Sequence, residues 1–372
     1  MRRFGIIPVL VTMFATTSFF AQEKPGNVRA PEKPGTAAVK EQSPSDDVKI
    51  LFAGDTHFLW GVHEFQAKNG RLEIAREIVP VFEDASFRVL NLETALSSRG
   101  SPVPQRAYIF NSDLENIEVL KLLKLNLTVL GNNHSMDMGW DGLEDTMKKL
   151  RESGIPSIGA GKNENDAASA YFTQIGGIKV AFFSFCDVGE NDMFSTATTP
   201  GVARSTMQNL QRIRDARRMA DIVIVNIHWG IEYATSPTVD QVRFARMMID
   251  AGASAIIGHH PHIPHGVEIY RNAPIAYSLG NFIFGSINQY QTHNIIAVVD
   301  LDRHKKTIQS LRIVPVQGTF RNGGHAVEGL TYAESTEFWQ EFYLQTQDLS
   351  AETAAKLKIS PNGVGEITIA QD

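Results

Sequence analysis

Cysteine occurs once in the 372 residues, at Cys186. One thiol forms no internal disulfide, and neither a cysteine-ligated metal site nor a lipoprotein attachment can be built from it. Because Cys186 directly follows the largely apolar run Val180 to Phe185, it reads as a buried strand residue rather than a catalytic thiol. Excess basic charge is also missing: 35 Lys and Arg stand against 41 Asp and Glu, a formal net charge of −6. That balance points away from a phosphate backbone, so nucleic acid is not expected as a partner. Internal repeats and heptads are absent as well, which excludes solenoids and coiled coils.

Large apolar residues are scarce between Gln22 and Asp47, where Pro25, Pro31, Pro34 and Pro44 stand among Lys, Glu, Ser and Gly. Such a segment buries too little surface to fold by itself, so residues 22–47 are expected to be a disordered, proline-rich linker. Ahead of it, Arg2 and Arg3 precede an almost uncharged apolar run from Phe4 to Phe20 that closes on Ala21. Residues 1–21 therefore read as an export signal, with the mature chain starting near Gln22. An uncleaved membrane anchor is the alternative, because Phe19 fits the small-residue cleavage rule poorly and the run sits at the short edge for a span. Both readings put the body of the protein outside the cytoplasm.

The whole chain is 43% hydrophobic, and from Val48 onward it changes to short apolar runs alternating with amphipathic stretches. This is the pattern of βα units around a mostly parallel sheet. Strands are expected at Lys49–Ala53, Arg88–Leu92, Leu127–Leu130, Lys179–Phe185, Ile222–Ile227, Ala255–Ile257 and Ile275–Leu279. Helices are expected at Gly142–Ser153 and Val239–Ala251, each with apolar residues on one face and a glycine just past its end. The main domain is placed at residues 48–330. Residues 331–372 are read as a helix, Tyr332 to Gln347, and a loose tail from Ser360 carrying Pro361, Gly363 and Gly365.

The chemistry lies where these strands end. The first runs into Gly54-Asp55-Thr56-His57, the second into Asn91-Leu92-Glu93, and the third into Gly131-Asn132-Asn133-His134. The fifth runs into His228-Trp229-Gly230 and the sixth into Gly258-His259-His260-Pro261-His262. Carboxyl ends of parallel strands share one crevice, so these side chains should converge although they are far apart in sequence. Imidazoles mixed with carboxylates and an amide suit borderline or hard divalent ions such as zinc, iron or manganese. Of the 11 histidines, His57, His134, His228, His259, His260, His262 and His265 all lie in or beside these motifs.

The ordered set Asp-x-His, carboxylate, Gly-Asn-Asn-His, His, His-x-His resembles the calcineurin-type metallophosphoesterases. In detail it is closer to the CapA family of capsule-synthesis proteins. The matching segments are Phe52-Ala53-Gly54-Asp55, Asn91-Leu92-Glu93-Thr94, Gly131-Asn132-Asn133-His134, His228-Trp229-Gly230-Ile231-Glu232-Tyr233, His260-Pro261-His262 and Ser278-Leu279-Gly280-Asn281-Phe282-Ile283-Phe284. The resemblance implies an α/β fold of the calcineurin-like metallophosphoesterase type, a central β-sandwich flanked by helices. It further implies two divalent ions, one held by Asp55, His57 and His262, the other by Asn133, His228 and His260, with Glu93 bridging. Glu93 stands where the phosphoesterase pattern has an aspartate. His134 is then the catalytic residue, acting on the leaving group, and Asp137 either orients it or is an exposed loop aspartate.

Arg106, Glu232, Tyr233 and Asn281 are candidate substrate contacts, and Trp60 and Trp229 either face a polymer or pack at the rim. The function implied is an extracytoplasmic metal-dependent hydrolase acting on a capsular or cell-envelope polymer, with poly-γ-glutamate among the candidates. The alternative is a non-catalytic accessory subunit that binds a nascent anionic polymer or a membrane synthase.

Overall fold

The structure, a computed structural model, describes residues 47–286, 293–320 and 326–369. The expected export signal and all but the last residue of the expected linker lie outside the described residues. No helix among the described residues is long and apolar enough to cross a membrane.

Two sheets carry the fold. The larger, of 11 strands, is centred on Asp47–Thr56, which pairs in parallel with Phe87–Leu92. Leu127–Val129 and Ser157–Ile158 extend the parallel half. On its other side Asp47–Thr56 pairs antiparallel with His293–Asp302, and Thr307–Gln317 completes a hairpin with it. The smaller sheet of six strands has a parallel centre, Ile178–Cys186, Ile222–His228, Ala255–His259 and Ala273–Ala276, with antiparallel strands Tyr171–Ile175 and Val267–Tyr270 at its edges.

The strands are apolar almost throughout because both faces of both sheets are covered. Successive side chains point to opposite faces. In the first strand Ile50 and Phe52 join Phe182, Ile224 and Ile257 in a core between the sheets, whereas Leu51 and Ala53 join Val62, Phe82, Leu120 and Leu143 beneath the flanking helices. In the smaller sheet Val223 and Val225 point outward to Ile213, Met248 and Ile249 of two covering helices, Asn209–Arg217 and Val239–Asp250. The layering is helix, sheet, sheet, helix, as the resemblance implies.

Three expectations need correction. The run Ile275–Leu279 is not one strand: Ala273–Ala276 belongs to the smaller sheet, and Asn281–Gly285 starts a new strand that pairs with Asp55 and Thr56 in the larger one. Asn281 therefore opens a strand of the larger sheet. The hairpin His293–Asp302 and Thr307–Gln317 was absent from the expected strands, although the near-continuous burial of His293–Asp302 marks that strand as central. Finally, the stretch read as a loose tail holds the strand Gly365–Thr368, paired with Thr307–Gln317 on one side and Leu357–Ile359 on the other. Ahead of it the helix Thr336–Leu349 sends Phe338, Trp339 and Phe342 into the core between the sheets.

Candidate metal centre

The parallel strands of both sheets end at the same side of the sandwich, and the site is made where they do. Asp55 sits at an irregularity in the first strand, where the register against Phe87–Leu92 shifts between Ala53 and Asp55. Bulges of this kind re-aim side chains next to functional sites. Gly54 permits the close approach of another segment: a Cβ there would lie 2.1 Å from the carbonyl oxygen of Gly280. The neighbouring Asp55 N–H donates to that same oxygen at 3.0 Å.

Asp55 is fully buried and heavily bonded. Its Oδ1 accepts from Asn91 Nδ2 at 2.7 Å, and its Oδ2 accepts from the His260 backbone N–H at 3.1 Å. His259 Nδ1 lies 3.4 Å from Oδ1 and His262 Nδ1 3.3 Å from Oδ2. Burial works against its charge, but the close imidazoles of His259 and His262 outweigh it, holding the carboxyl well below its ordinary value.

Glu93 faces the opposite situation. It follows the second strand with no exposed surface, and neither carboxylate oxygen has a hydrogen-bond partner. Burial pushes its pKa well up, and the nearby charges of Asp55, Glu232 and Asp137 push it further. His228 Nε2 and His134 Nε2 approach Oε1 at 3.7 and 4.0 Å. A carboxylate stripped of water and left unbonded is costly unless a cation completes it. The donor set therefore fits divalent ions: Asp55, Glu93 and His262 each present a ligand atom within 4.8 Å of the others. On the other flank His228 Nε2 lies 2.7 Å from Asn133 Oδ1 and 3.2 Å from His260 Nδ1.

Burial lowers the pKa of His228, and that of His260 to about 3. Both rings are thus neutral, the form that ligates. His260 and His262 take positive φ, 98° and 61°. Such backbone costs a non-glycine residue about 1–3 kcal/mol, and packing must hold it.

His134 points at this group from the third strand's loop. Its Nδ1 lies 2.7 Å from Asp137 Oδ2, which also accepts from the Phe110 backbone N–H at 2.7 Å. The Phe110 ring stacks on the imidazole at 3.8 Å. Asp137 is buried, not an exposed loop residue, and it fixes the ring with Nε2 toward Glu93.

His57 stays outside both groups of clustered ligand atoms. Its Nδ1 accepts from the Leu59 N–H at 3.1 Å, and its ring is caged by Trp60, Phe110 and Phe284. Among the expected substrate contacts, Asn281 reaches the site, its Oδ1 3.0 Å from His262 Nδ1. Tyr233 is partly exposed, with its ring 5.8 Å from that of His262. Glu232 is exposed at the mouth and clusters with His260 and His262. Arg106 is no solvated arginine: its side chain is 11% exposed and ion-paired to Asp192 at 2.5 Å. Trp229 is buried and donates its Nε1–H to the Tyr277 carbonyl, so it cannot face a polymer, whereas Trp60 is half-buried against Tyr108 and Phe110. Cys186 is buried, with its thiol donating to the Val188 carbonyl and its pKa raised by burial.

The sequence reading missed the braces. Asn91 holds Asp55 and is itself held by Asn132 Nδ2 at 3.1 Å, and Asn132 Oδ1 accepts from the His134 N–H and from Ser135 Oγ. His259 was read as a neighbour only. All lie inside the strand-end motifs, and that is the signal by which they could have been found.

Residues 49–286 match the family described as bacterial capsule synthesis protein PGA_cap. The chain is 33% identical over 251 residues to the PGA biosynthesis protein CapA of Bacillus subtilis (strain 168), covering 66% of each. It is 31% identical over 228 residues to a probable polyglutamine synthesis accessory protein of Mycobacterium tuberculosis (strain ATCC 25618 / H37Rv), covering 56% of this chain and 58% of that one. In both cases it spans less than two thirds of the relative's length. Among solved structures, a putative 5'-nucleotidase from Staphylococcus aureus in complex with alpha-ketoglutarate aligns at a TM-score of 0.49 with 16% identity, over 79% of this chain and 58% of that one. That likeness is too loose to carry an argument.

Proposed function

The chain belongs to the bacterial capsule synthesis protein PGA_cap family, and from that membership we propose that it is an extracytoplasmic metal-dependent hydrolase acting on an anionic capsular or cell-envelope polymer. The observation that carries the reading is Glu93: a fully buried carboxylate with both oxygens unbonded, ringed by Asp55, His228 and His134. Two divalent ions, manganese, iron or zinc, would be held by Asp55, Glu93, Asn133, His228, His260 and His262, with His57 behind them.

When bound, such ions supply Lewis acidity toward the phosphoryl or carbonyl oxygen under attack. The chain's own groups do the rest. His134 gives a proton to the leaving group from Nε2, the atom facing Glu93, while Asp137 keeps the proton on Nδ1 and the ring in place. Asn91 and the His260 N–H hold Asp55 ionised and oriented. Tyr233 and Asn281 line the approach for substrate. Arg106 acts there only by giving up Asp192 for an anionic group of the polymer.

The second reading is an accessory subunit that uses the same site to grip a nascent anionic polymer or to dock on a membrane synthase. The description of the Mycobacterium relative as an accessory protein favours it. One experiment separates the two. Bound metal is measured on purified protein by elemental analysis, and phosphomonoester, phosphodiester and γ-glutamyl model substrates are assayed with and without added manganese. Metal-dependent turnover supports the hydrolase. Metal without turnover favours the accessory subunit, and protein that neither retains nor regains metal overturns both.

A further inference from the structure

We infer that Glu232 is a third carboxylate ligand of the metal centre, closing it from the solvent side. The inference rests on the metal-binding reading above and adds to it a residue that the resemblance treats as no ligand.

Glu232 lies in the turn after the strand Ile222–His228 and is exposed, yet its carboxylate has an atom within 4.8 Å of ligand atoms on His260 and His262, both buried. Exposed acidic groups are common, so the neighbours matter. The His262 Nδ1 of this trio is 3.3 Å from Asp55 Oδ2, and the His260 Nδ1 is 3.2 Å from His228 Nε2. The trio is thus continuous with the group of Asp55, Glu93 and His262. Next to it stands the unpartnered carboxylate of Glu93, whose pKa burial raises most and the charges of Asp55 and Glu232 raise further. Carboxylates that converge without hydrogen bonds repel each other, and a shared cation removes the repulsion.

The position of Glu232 is built. The Tyr233 N–H donates to the Pro261 carbonyl at 2.8 Å, tying this turn to the His260-Pro261-His262 loop. His265 Nε2 lies 2.7 Å from the Ala234 carbonyl one residue further on. Tyr233 holds φ at 60°, and Gly230 at 97°, where a Cβ would meet Gln241 at 2.6 Å. Two ties and two left-handed residues fix the backbone of this turn beside the histidine pair.

The test is a manganese titration of the full chain, followed by calorimetry and by the electron paramagnetic resonance of the bound ion. Glu232→Gln should weaken the binding roughly tenfold or more and change the resonance line shape, whereas Glu232→Asp should restore part of the affinity. Glu341→Gln, the same charge change at an exposed residue outside both clusters of ligand atoms, should leave binding as it is. Metal-free thermal denaturation of Glu232→Gln should match the parent, because the residue is exposed. Unchanged affinity and line shape in Glu232→Gln would overturn the inference while leaving the metal centre intact. A parent protein that binds no manganese would overturn the metal centre and this inference with it.

Discussion

At the scale of single residues, the proposed function divides the site into groups that hold and one that acts. His228 Nε2 lies amid Asn133, His260 and Glu93, so His228→Ala should lower metal content as read by elemental analysis. His134 approaches Glu93 only to 4.0 Å and is held by Asp137, so His134→Ala should keep the metal and lose turnover. Equal metal loss in the two variants would refute this division. Asp137→Asn should retain metal and cut turnover by about 10–100-fold, because the amide no longer stabilises the imidazolium and permits the other tautomer. The ligand types and their order were legible in the sequence because strand ends announce themselves. The roles of Asn91 and His259 were not, and Asp137 was left between two, because these depend on where a side chain turns after the backbone is fixed. His57 accepts the Leu59 N–H on Nδ1, and its buried Nε2 has no hydrogen-bond partner and is the atom open to a ligand role.

At the scale of elements, the parallel strands were readable because their short apolar runs stand apart from the helices between them. The C-terminal strands were not. Gly365 and Gly363 look like loop residues, yet a Cβ on Gly365 would lie 2.3 Å from the Trp339 ring, so the glycine is what lets the strand pass under the helix. Trp339 is buried in the core between the sheets, and Trp339→Ala should destabilise the fold by about 3–5 kcal/mol in denaturant unfolding. A wild-type midpoint in that variant would mean that the C-terminal helix and strands are an appendage.

At the scale of the whole molecule, one side of the sandwich gathers ionisable groups that burial alone leaves strained. Burial lowers His265 to about 4 and His260 to about 3, and also lowers His57 and His228, against an ordinary value of 6.5. Their folded-state values lie below the unfolded one, so the unfolded chain takes up protons first as the medium turns acid. Metal-free protein should thus keep this stability above about pH 6.5 and lose it below, down to about 4 for His265 and about 3 for His260. The slope is about 1.4 kcal/mol per pH unit for each histidine titrating in that window. Thermal denaturation in chelator across pH 7 to 4 checks this, and a flat profile would contradict it.

The sandwich itself was legible only through the resemblance, because a run such as Ile222–Ile227 does not say which of two sheets it joins. In the folded chain Asp55 and Glu93 come from one sheet and His228 and His260 from the other, and they meet where His228 Nε2 lies 3.7 Å from Glu93 and the His260 N–H donates to Asp55. The most direct test is a crystal of the protein grown with manganese and measured at the manganese edge. The account predicts an anomalous peak bonded to a Glu93 carboxylate oxygen together with Asp55 and His262. A map with no peak there, with the Glu93 oxygens bonded to protein groups instead, would contradict it.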